Sequence, residues 1–173
     1  MSVTERGQAV DGGALSGQHK RLILLQVNDA LFPIGCWAHF WGLETYIQKS
    51  LVSTAEEAGE FIRRRLLCAF CWGDLLAARI AWECAVEGDV AYLGDLEDTL
   101  EASRTPREVR DAALKMGSRF VKTVSALQLP YERDAFALYT QAKCGKGVTH
   151  QVVYGAFCAS VGIAKEAALE HFL

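Results

Sequence analysis

The sequence contains only three prolines in 173 residues and few runs of β-branched residues. Proline interrupts helices and β-branched residues favour strands, so little in this composition opposes helix formation. Alanine, leucine and glutamate, which favour helices, are plentiful. The composition therefore predicts an all-α fold, and the length suits a single domain.

Long apolar runs, an N-terminal leader pattern and an excess of positive charge are all missing. No apolar stretch reaches the ~20 residues that a transmembrane helix needs, and the start of the chain lacks the charged-then-apolar order of a signal peptide. The formal charge is -3, which argues against a nucleic-acid surface. The six cysteines are scattered inside apolar segments, which is typical of buried free thiols in a reducing compartment. We expect a cytoplasmic protein that binds neither membranes nor nucleic acid.

Three short motifs resemble functional sites but lack the necessary context. Cys68-Ala69-Phe70-Cys71 has no second cysteine pair and lies in a helical pattern, which favours a structural role over a metal or redox role. Cys144-Gly145-Lys146-Gly147 lacks the spacing and the preceding strand of a phosphate-binding loop, so we reject it as a nucleotide site. The run Arg63-Arg64-Arg65 points in three directions on a helix and is interpreted as a solvated face, with an acidic protein partner as the alternative.

Hydrophobic periodicity divides the chain into a tail and one helical domain. Residues 1–19 are polar, rich in glycine and aperiodic, which predicts a disordered tail. Residues 20–173 predict an irregular bundle of about eight to ten helices. The apolar run between Lys20 and Asp29 fits a strand or a helix, and we predict a helix because no second strand is available to pair with it.

Several helix boundaries are marked by capping signals. Thr54 and Glu57 form a predicted capping box, followed by a helix to about Trp72. The predicted core side of that helix comprises Phe61, Ile62, Leu66, Ala69 and Phe70. Gly73-Asp74 predicts a break, with Asp74 as the N-cap of the next helix. Thr105-Pro106-Arg107-Glu108 predicts another start, with Thr105 as the cap and Pro106 at the first helical position.

Apolar spacing and capping residues also predict the remaining helices. A buried helix is predicted from Leu75 to Val86, and a second from Val90 to Ala102 with Leu93, Leu96 and Leu100 facing inward. Asp134 is a predicted N-cap, and a later helix begins at Thr149 or His150 and ends at Gly162. Small residues at Gly155, Ala156, Ala159 and Ser160 would let a neighbouring helix approach closely. The last segment carries no helix-ending signal, so we expect the chain to be truncated within or just after a helix.

The most function-like stretch of the sequence runs from Leu31 to Glu44. It combines a Pro33-Ile34-Gly35 turn with two tryptophans, a histidine and a single acid. We predict a helix from Cys36 to about Gln48, on which His39 and Glu44 lie about 140° apart. They cannot therefore hold one ion between them on this helix, whereas Cys36 and His39, three residues apart, could do so in principle.

Three ordered segments carry a family resemblance. Phe32-Pro33-Ile34-Gly35-Cys36-Trp37-Ala38-His39-Phe40-Trp41-Gly42-Leu43-Glu44 resembles the signature of the UreF family of urease accessory proteins. The segments from Glu101 to Arg110 and from Met116 to Phe120 resemble the central region of that family. The segment from Gly147 to Gly155 resembles a third motif of the same family. The departures from the family pattern are Cys36 for glycine, Phe40 for serine and Val152 for proline. The C-terminal segment of the family has no counterpart here.

The resemblance implies an all-α, non-catalytic chaperone that forms a homodimer. Such a protein would bind the accessory protein UreD, also called UreH, and through that complex recruit the GTPase UreG. The assembly would deliver nickel to the urease apoprotein as GTP is hydrolysed. The chain itself would hold no tightly bound cofactor and would handle nickel only indirectly.

The resemblance also supplies candidate partner-binding residues, and each has a structural alternative. The candidates are Trp37, His39, Trp41, Glu44, Arg107, Arg110 and His150. The tryptophans suit either a core or an interface. His39 suits a buried helix contact as well as a contact to a partner or, together with Cys36, to nickel. Glu44 suits a pair with an arginine or a backbone donor as well as a contact to the GTPase. Helix capping partly accounts for the two arginines, and His150 fits a helix start better than a ligand. The alternative function is a small helical metal-binding protein or enzyme that uses Cys36 and His39.

Overall fold

The protein is helical throughout the part of the chain that the structure describes. A computed structural model describes residues 15–34, 42–104 and 106–172, and no strand occurs within these ranges. The helices are α1 (Gly17–Val27), α2 (Leu43–Gln48), α3 (Ala55–Arg64), a π-helix that we call π1 (Arg65–Leu75), α4 (Leu76–Glu87), α5 (Val90–Ser103), α6 (Arg107–Ala126), α7 (Ala135–Ala142), α8 (His150–Val161) and α9 (Lys165–His171). The predicted all-α fold is therefore confirmed. None of the described helices is long and apolar enough to cross a membrane.

Helix α8 forms the centre of the bundle, and every residue from Gln151 to Val161 is buried. A Cβ atom on Gly155 would lie 2.2 Å from the carbonyl oxygen of Ala78 in α4. The backbones of the two helices therefore touch, which confirms the predicted close approach along the small residues. Helix α6 approaches the start of α8 in the same way, because a Cβ on Gly117 would lie 2.0 Å from the carbonyl oxygen of Val148.

Aromatic rings fill the space around α8. Phe120 of α6 is fully buried and makes edge contacts with Phe157, with centroids 5.3 Å apart, and with Phe32, with centroids 6.1 Å apart. Helix α1 joins this core through Ile23, Leu24 and Val27. The predicted helix between Lys20 and Asp29 is thus confirmed, although α1 begins at Gly17, inside the range assigned to the disordered tail.

The capping predictions have mixed outcomes. The box between Thr54 and Glu57 is present, and Gly88 and Gly162 end α4 and α8 in the left-handed conformation with φ of 77° and 79°. Asp134 occupies the N-cap of α7 but makes no side-chain capping bond, because Ser160 Oγ of α8 accepts the hydrogen bond from the Phe136 amide instead.

Two predicted helix starts are wrong. Gly42 has φ of 86° and α2 begins only at Leu43, so a continuous helix from Cys36 to Gln48 does not form. The angle predicted between His39 and Glu44 therefore does not apply. Helix α6 begins at Arg107 with Pro106 as its N-cap residue, one position later than predicted, and Thr105 lies outside the described residues.

Candidate partner-binding surface

The predicted core side of the helix after Thr54 is an open groove. Its five residues, Phe61, Ile62, Leu66, Ala69 and Phe70, line a cavity of about 140 Å³ together with Leu43, Arg65 and Asp74. We call this feature the α3–π1 groove. Within residues 55–76 no residue is buried, and Ile62 and Leu66 remain 47% and 39% exposed. These apolar side chains share one face, as their spacing predicts, but the prediction that this face is core is wrong within the described residues, which leave it uncovered.

Leu67 and Trp72 of π1 are also exposed, Trp72 to 75%. Large exposed apolar surface is typical of protein–protein contacts. Tryptophan is, moreover, among the residues that contribute most to binding energy at interfaces. The surface around π1 is therefore suited to bind another protein.

The helix carrying the groove does not break at Gly73-Asp74. Arg64, Arg65, Leu75 and Leu76 all keep right-handed helical angles at the junctions of π1 with α3 and α4. The chain thus runs without interruption from Ala55 to Glu87. The prediction of a break with Asp74 as an N-cap is wrong, because the wider π-helical turn carries the chain through this point. π-Helical turns are rare and occur frequently at functional sites.

Asp74 instead connects three helices through its carboxylate. The guanidinium Nη2 of Arg104, at the end of α5, lies 2.7 Å from Asp74 Oδ1, and Nε2 of Gln151 in α8 donates a hydrogen bond of 2.8 Å to the same oxygen. The side chains of Arg104 and Asp74 are only 11% and 13% exposed. Arg110 of α6 extends the network by donating from Nη1 to the carbonyl oxygen of Arg104 at 2.7 Å. We call these four residues the Asp74 network.

Burial and hydrogen bonding act on Asp74 in opposite directions. Removal from water raises the pKa of its carboxyl above the ordinary value, whereas the neighbouring guanidinium of Arg104 and the amide of Gln151 favour the ionised form. Burial is the larger effect. A partly buried ion pair of this kind fixes the relative positions of its helices, because leaving either charge unpaired is costly.

The three sequence segments that carry the family resemblance converge at this place. Leu43 of the first segment lines the α3–π1 groove beside Asp74. Arg104 and Arg110 of the second segment and Gln151 of the third belong to the Asp74 network. Segments that are distant in sequence thus form one surface and the polar contacts behind it.

His150 lies next to this network at the first position of α8, as predicted. Its ring packs against Phe120, Tyr154 and Phe172, and stacks on Phe172 with a centroid distance of 5.6 Å. Its Nε2 atom is buried without a hydrogen-bond partner. Burial lowers the pKa of the imidazole to about 4, so the ring is neutral at physiological pH. These surroundings make His150 part of the aromatic packing.

Phe172, at the end of α9, connects His150 to the groove. It stacks on Phe70 of π1 with centroids 5.8 Å apart and also contacts Tyr154 at 4.8 Å. One aromatic side chain therefore touches both the groove helix and the central helix. A displacement of π1 would therefore move Phe172 and change its packing against His150 at the N-terminal end of α8.

The other predicted site residues have different outcomes. Arg107 is exposed and lies 3.6 Å from Asp111 in its own helix, so it is separate from the Asp74 network. Glu44 is exposed in the first turn of α2. Cys36, Trp37, His39 and Trp41 lie outside the described residues.

Sequence reasoning missed a second buried carboxylate, at Glu97. The Tyr139 hydroxyl donates to Glu97 Oε2 at 2.5 Å, and Thr149 donates to the same side chain from its backbone amide at 2.8 Å and from its hydroxyl at 3.1 Å. Burial raises the pKa of Glu97, and these three donors oppose the rise. Glu97 lies four residues after Leu93 and three before Leu100, so its place on the predicted inward stripe was the available signal. Its role is to join α5, α7 and the start of α8.

The cysteines have both buried and exposed positions. Cys84 and Cys158 are buried free thiols, as predicted, and burial raises the pKa of Cys158 to about 12. Cys68 and Cys144 are exposed, so the prediction of burial is wrong for these two. Across the described residues, no group of three or more His, Cys, Asp or Glu side chains could hold a metal ion.

Comparisons with known proteins agree with the resemblance. A model of the UreF family matches residues 52–173, which is more than half of the chain. The chain is 31% identical over 154 residues to the urease accessory protein UreF of Paenarthrobacter aurescens, covering 88% of this chain and 66% of that protein. It is 28% identical over 152 residues to the urease accessory protein UreF of Haemophilus influenzae, covering 86% of this chain and 63% of that protein. The chain thus spans less than two thirds of the length of these relatives, which are named as accessory proteins.

Proposed function

This chain belongs to the UreF family, and from that premise we propose that it is a non-catalytic scaffold for urease maturation. In this role it binds the accessory protein UreD (UreH) as a homodimer in the cytoplasm and, with it, recruits the GTPase UreG. The complex then inserts nickel into the urease apoprotein as GTP is hydrolysed. Nickel is the cargo of the assembly and not a cofactor of this chain.

The observation that carries the proposal is the convergence of the three family segments on the α3–π1 groove. The groove is apolar and exposed, and its floor is fixed by the partly buried contact of Asp74 with Arg104. Long-lived interfaces are more hydrophobic than transient ones. We therefore assign the groove to the stable partner, UreD, and not to the GTPase, whose binding changes with its nucleotide.

Co-expression with tagged UreD and UreG tests the proposal. Wild-type chain is expected to be captured with both partners. Leu66→Glu places a charge in the groove and should reduce capture by at least about tenfold, because an unpaired charge in an apolar contact is costly. Its matched control is Leu138→Glu, since Leu138 is an exposed leucine of α7 away from the groove, 51% exposed. The control should be captured like the wild type.

Two outcomes separate the function from the assignment of the groove. If the wild type captures neither partner, the scaffold function is wrong. If the wild type captures both and Leu66→Glu captures them equally well, the function stands and the groove is not the UreD surface. Thermal unfolding of both variants shows whether the substitutions leave the fold intact.

Equilibrium dialysis with nickel tests the alternative of a metal-binding protein or enzyme that uses Cys36 and His39. The scaffold function predicts no stoichiometric nickel site that depends on His39. A site of that kind that His39→Ala removes would favour the alternative.

A further inference from the structure

Helix α6 carries a stripe of positive charge on its solvent side. Lys115, Arg119 and Lys122 are exposed and follow one another at spacings of four and three residues, which places them on one face over about 10 Å. We call them the α6 stripe. Gly117, Phe120 and Val124 face the core on the other side of the same helix.

The α6 stripe is not neutralised within the described residues. None of its three side chains forms an ion pair there, although most other surface cations of the protein do. Those other ion pairs are Lys20 and Arg133 with Glu132, Arg63 and Arg64 with Glu60, Arg79 and Lys165 with Glu83, Arg107 with Asp111, and Lys143 with Asp98. Asp111, the acid one turn before the stripe, thus lies against Arg107.

The neighbouring loop adds no negative charge to this face. A Cβ on Gly147 would lie 3.8 Å from Ser118 Oγ, so the loop that contains Gly147 runs along the edge of the stripe. The residue before it, Lys146, is exposed and positively charged. Like charges one turn apart repel each other on a helix, and a negative partner would relieve that repulsion.

The helix beneath the stripe is rigidly held. Phe120 is completely buried, and the backbone of residues 148–150 lies directly against Gly117. Arg110, one turn before the stripe, donates to the carbonyl oxygen of Arg104 in the Asp74 network. A partner that binds this face therefore meets three cations whose backbone positions are fixed, and no backbone has to be ordered on binding.

From these observations we infer that Lys115, Arg119 and Lys122 form a docking surface for an acidic helical segment of a partner protein. Glutamates at spacings of three and four residues on the partner helix would face the three cations. The inference rests on the proposed function only in that the chain works in a complex with other proteins.

Other anionic partners fit the stripe less well. Three cations over about 10 Å neutralise few phosphates, which is too small a positive surface for a nucleic acid. Membrane-binding clusters contain about four to eight cations. Ser118, the exposed residue between Lys115 and Arg119, is polar and would not insert into lipid.

Fluorescence anisotropy on the full chain tests the inference. The probe is a synthetic helical peptide with glutamates at spacings of four and three residues, and its all-glutamine counterpart is the peptide control. Lys115→Gln/Lys122→Gln should weaken binding of the glutamate peptide by at least about tenfold and reduce its dependence on salt. The matched control is Arg21→Gln/Lys49→Gln, which removes the same charge from two exposed positions that form no ion pair with a described residue. It should change binding by less than about twofold.

Three results would overturn the inference. The first is that the peptide does not bind the wild type, and the second is that both double variants weaken binding equally. The third is that a short DNA duplex, or vesicles of anionic lipid, displace the labelled peptide from the chain at a lower concentration than unlabelled glutamate peptide does.

The co-expression experiment separates this inference from the proposed function. If the wild type and Lys115→Gln/Lys122→Gln capture both partners equally, the stripe is not a docking surface although the scaffold function stands.

Discussion

The guanidinium of Arg104 lies 2.7 Å from the carboxylate of Asp74 and thereby ties the end of α5 to the π-helix that lines the apolar groove. The two residues are 30 positions apart in the sequence, so no capping or periodicity signal could have linked them. Their contact joins the family segment around Arg104 to the candidate partner-binding surface. The stability of this contact is therefore the first property to measure.

Asp74→Ala is expected to destabilise the protein by about 3 kcal/mol, because it leaves the guanidinium of Arg104 partly buried without its counterion. Asp111→Ala is the matched control, since it removes the exposed ion pair with Arg107 and should cost less than ~0.5 kcal/mol. Urea unfolding followed by circular dichroism measures both. Equal destabilisation of the two variants would show that the Asp74 network contributes no more than a surface pair.

Glu97→Ala should lower the free energy of unfolding by roughly 2–4 kcal/mol. The substitution removes the acceptor for the Tyr139 hydroxyl and for both donors of Thr149, and these donors have been withdrawn from water. Its neighbour Asp98 is 72% exposed and pairs with Lys143 in water, so Asp98→Ala should destabilise the protein far less than Glu97→Ala. Denaturant unfolding compares the two, and a smaller loss for Glu97→Ala than for Asp98→Ala would contradict the assigned role.

Gly155→Ala should destabilise the protein by at least about 2 kcal/mol, because the added methyl group would overlap the carbonyl oxygen of Ala78 and force α4 and α8 apart. Gly59→Ala is the opposite case. Gly59 lies inside α3 with no atom within 4 Å of the new methyl group, so the substitution should stabilise the protein by about 0.5–1 kcal/mol. Thermal unfolding distinguishes the two directions. Stabilisation by Gly155→Ala would contradict the close packing of α4 and α8.

Protonation of His150 should make the protein less stable in acid. Its pKa falls from the ordinary 6.5 to about 4 in the folded state, so between these values the unfolded chain binds a proton that the folded chain does not. Stability contributed by His150 is therefore present above pH 6.5 and is lost as the pH falls towards 4. At ~1.4 kcal/mol per pKa unit the loss is at most roughly 3 kcal/mol.

The variant His150→Phe keeps an aromatic ring at this position and should flatten that dependence of stability on pH. His19→Gln, which removes an exposed histidine of α1, is the matched control. Urea unfolding between pH 4 and 7 measures the slope. An unchanged slope in His150→Phe would mean that the imidazole titrates alike in the folded and unfolded chain.

Local signals in the sequence predicted most helices because capping and periodicity act over one or two turns. The box at Thr54 and Glu57, the glycines that end α4 and α8, and the small residues of α8 all lie where they were predicted. Local signals failed where a side chain had a distant partner. Gly73-Asp74 has the composition of a helix break, yet the Asp74 carboxylate binds Arg104 and Gln151 while the helix continues.

The sequence by itself determined the helical class, the family and the apolar face of the helix after Thr54, because composition, motif order and side-chain spacing are properties of the chain alone. Only the tertiary structure decided that this face is an open groove, that Glu97 is buried, and that the three family segments meet around Asp74. Periodicity specifies which side chains share a face of a helix. What covers that face, and which distant group pairs with a buried charge, depends on the packing of helices that are far apart in the sequence.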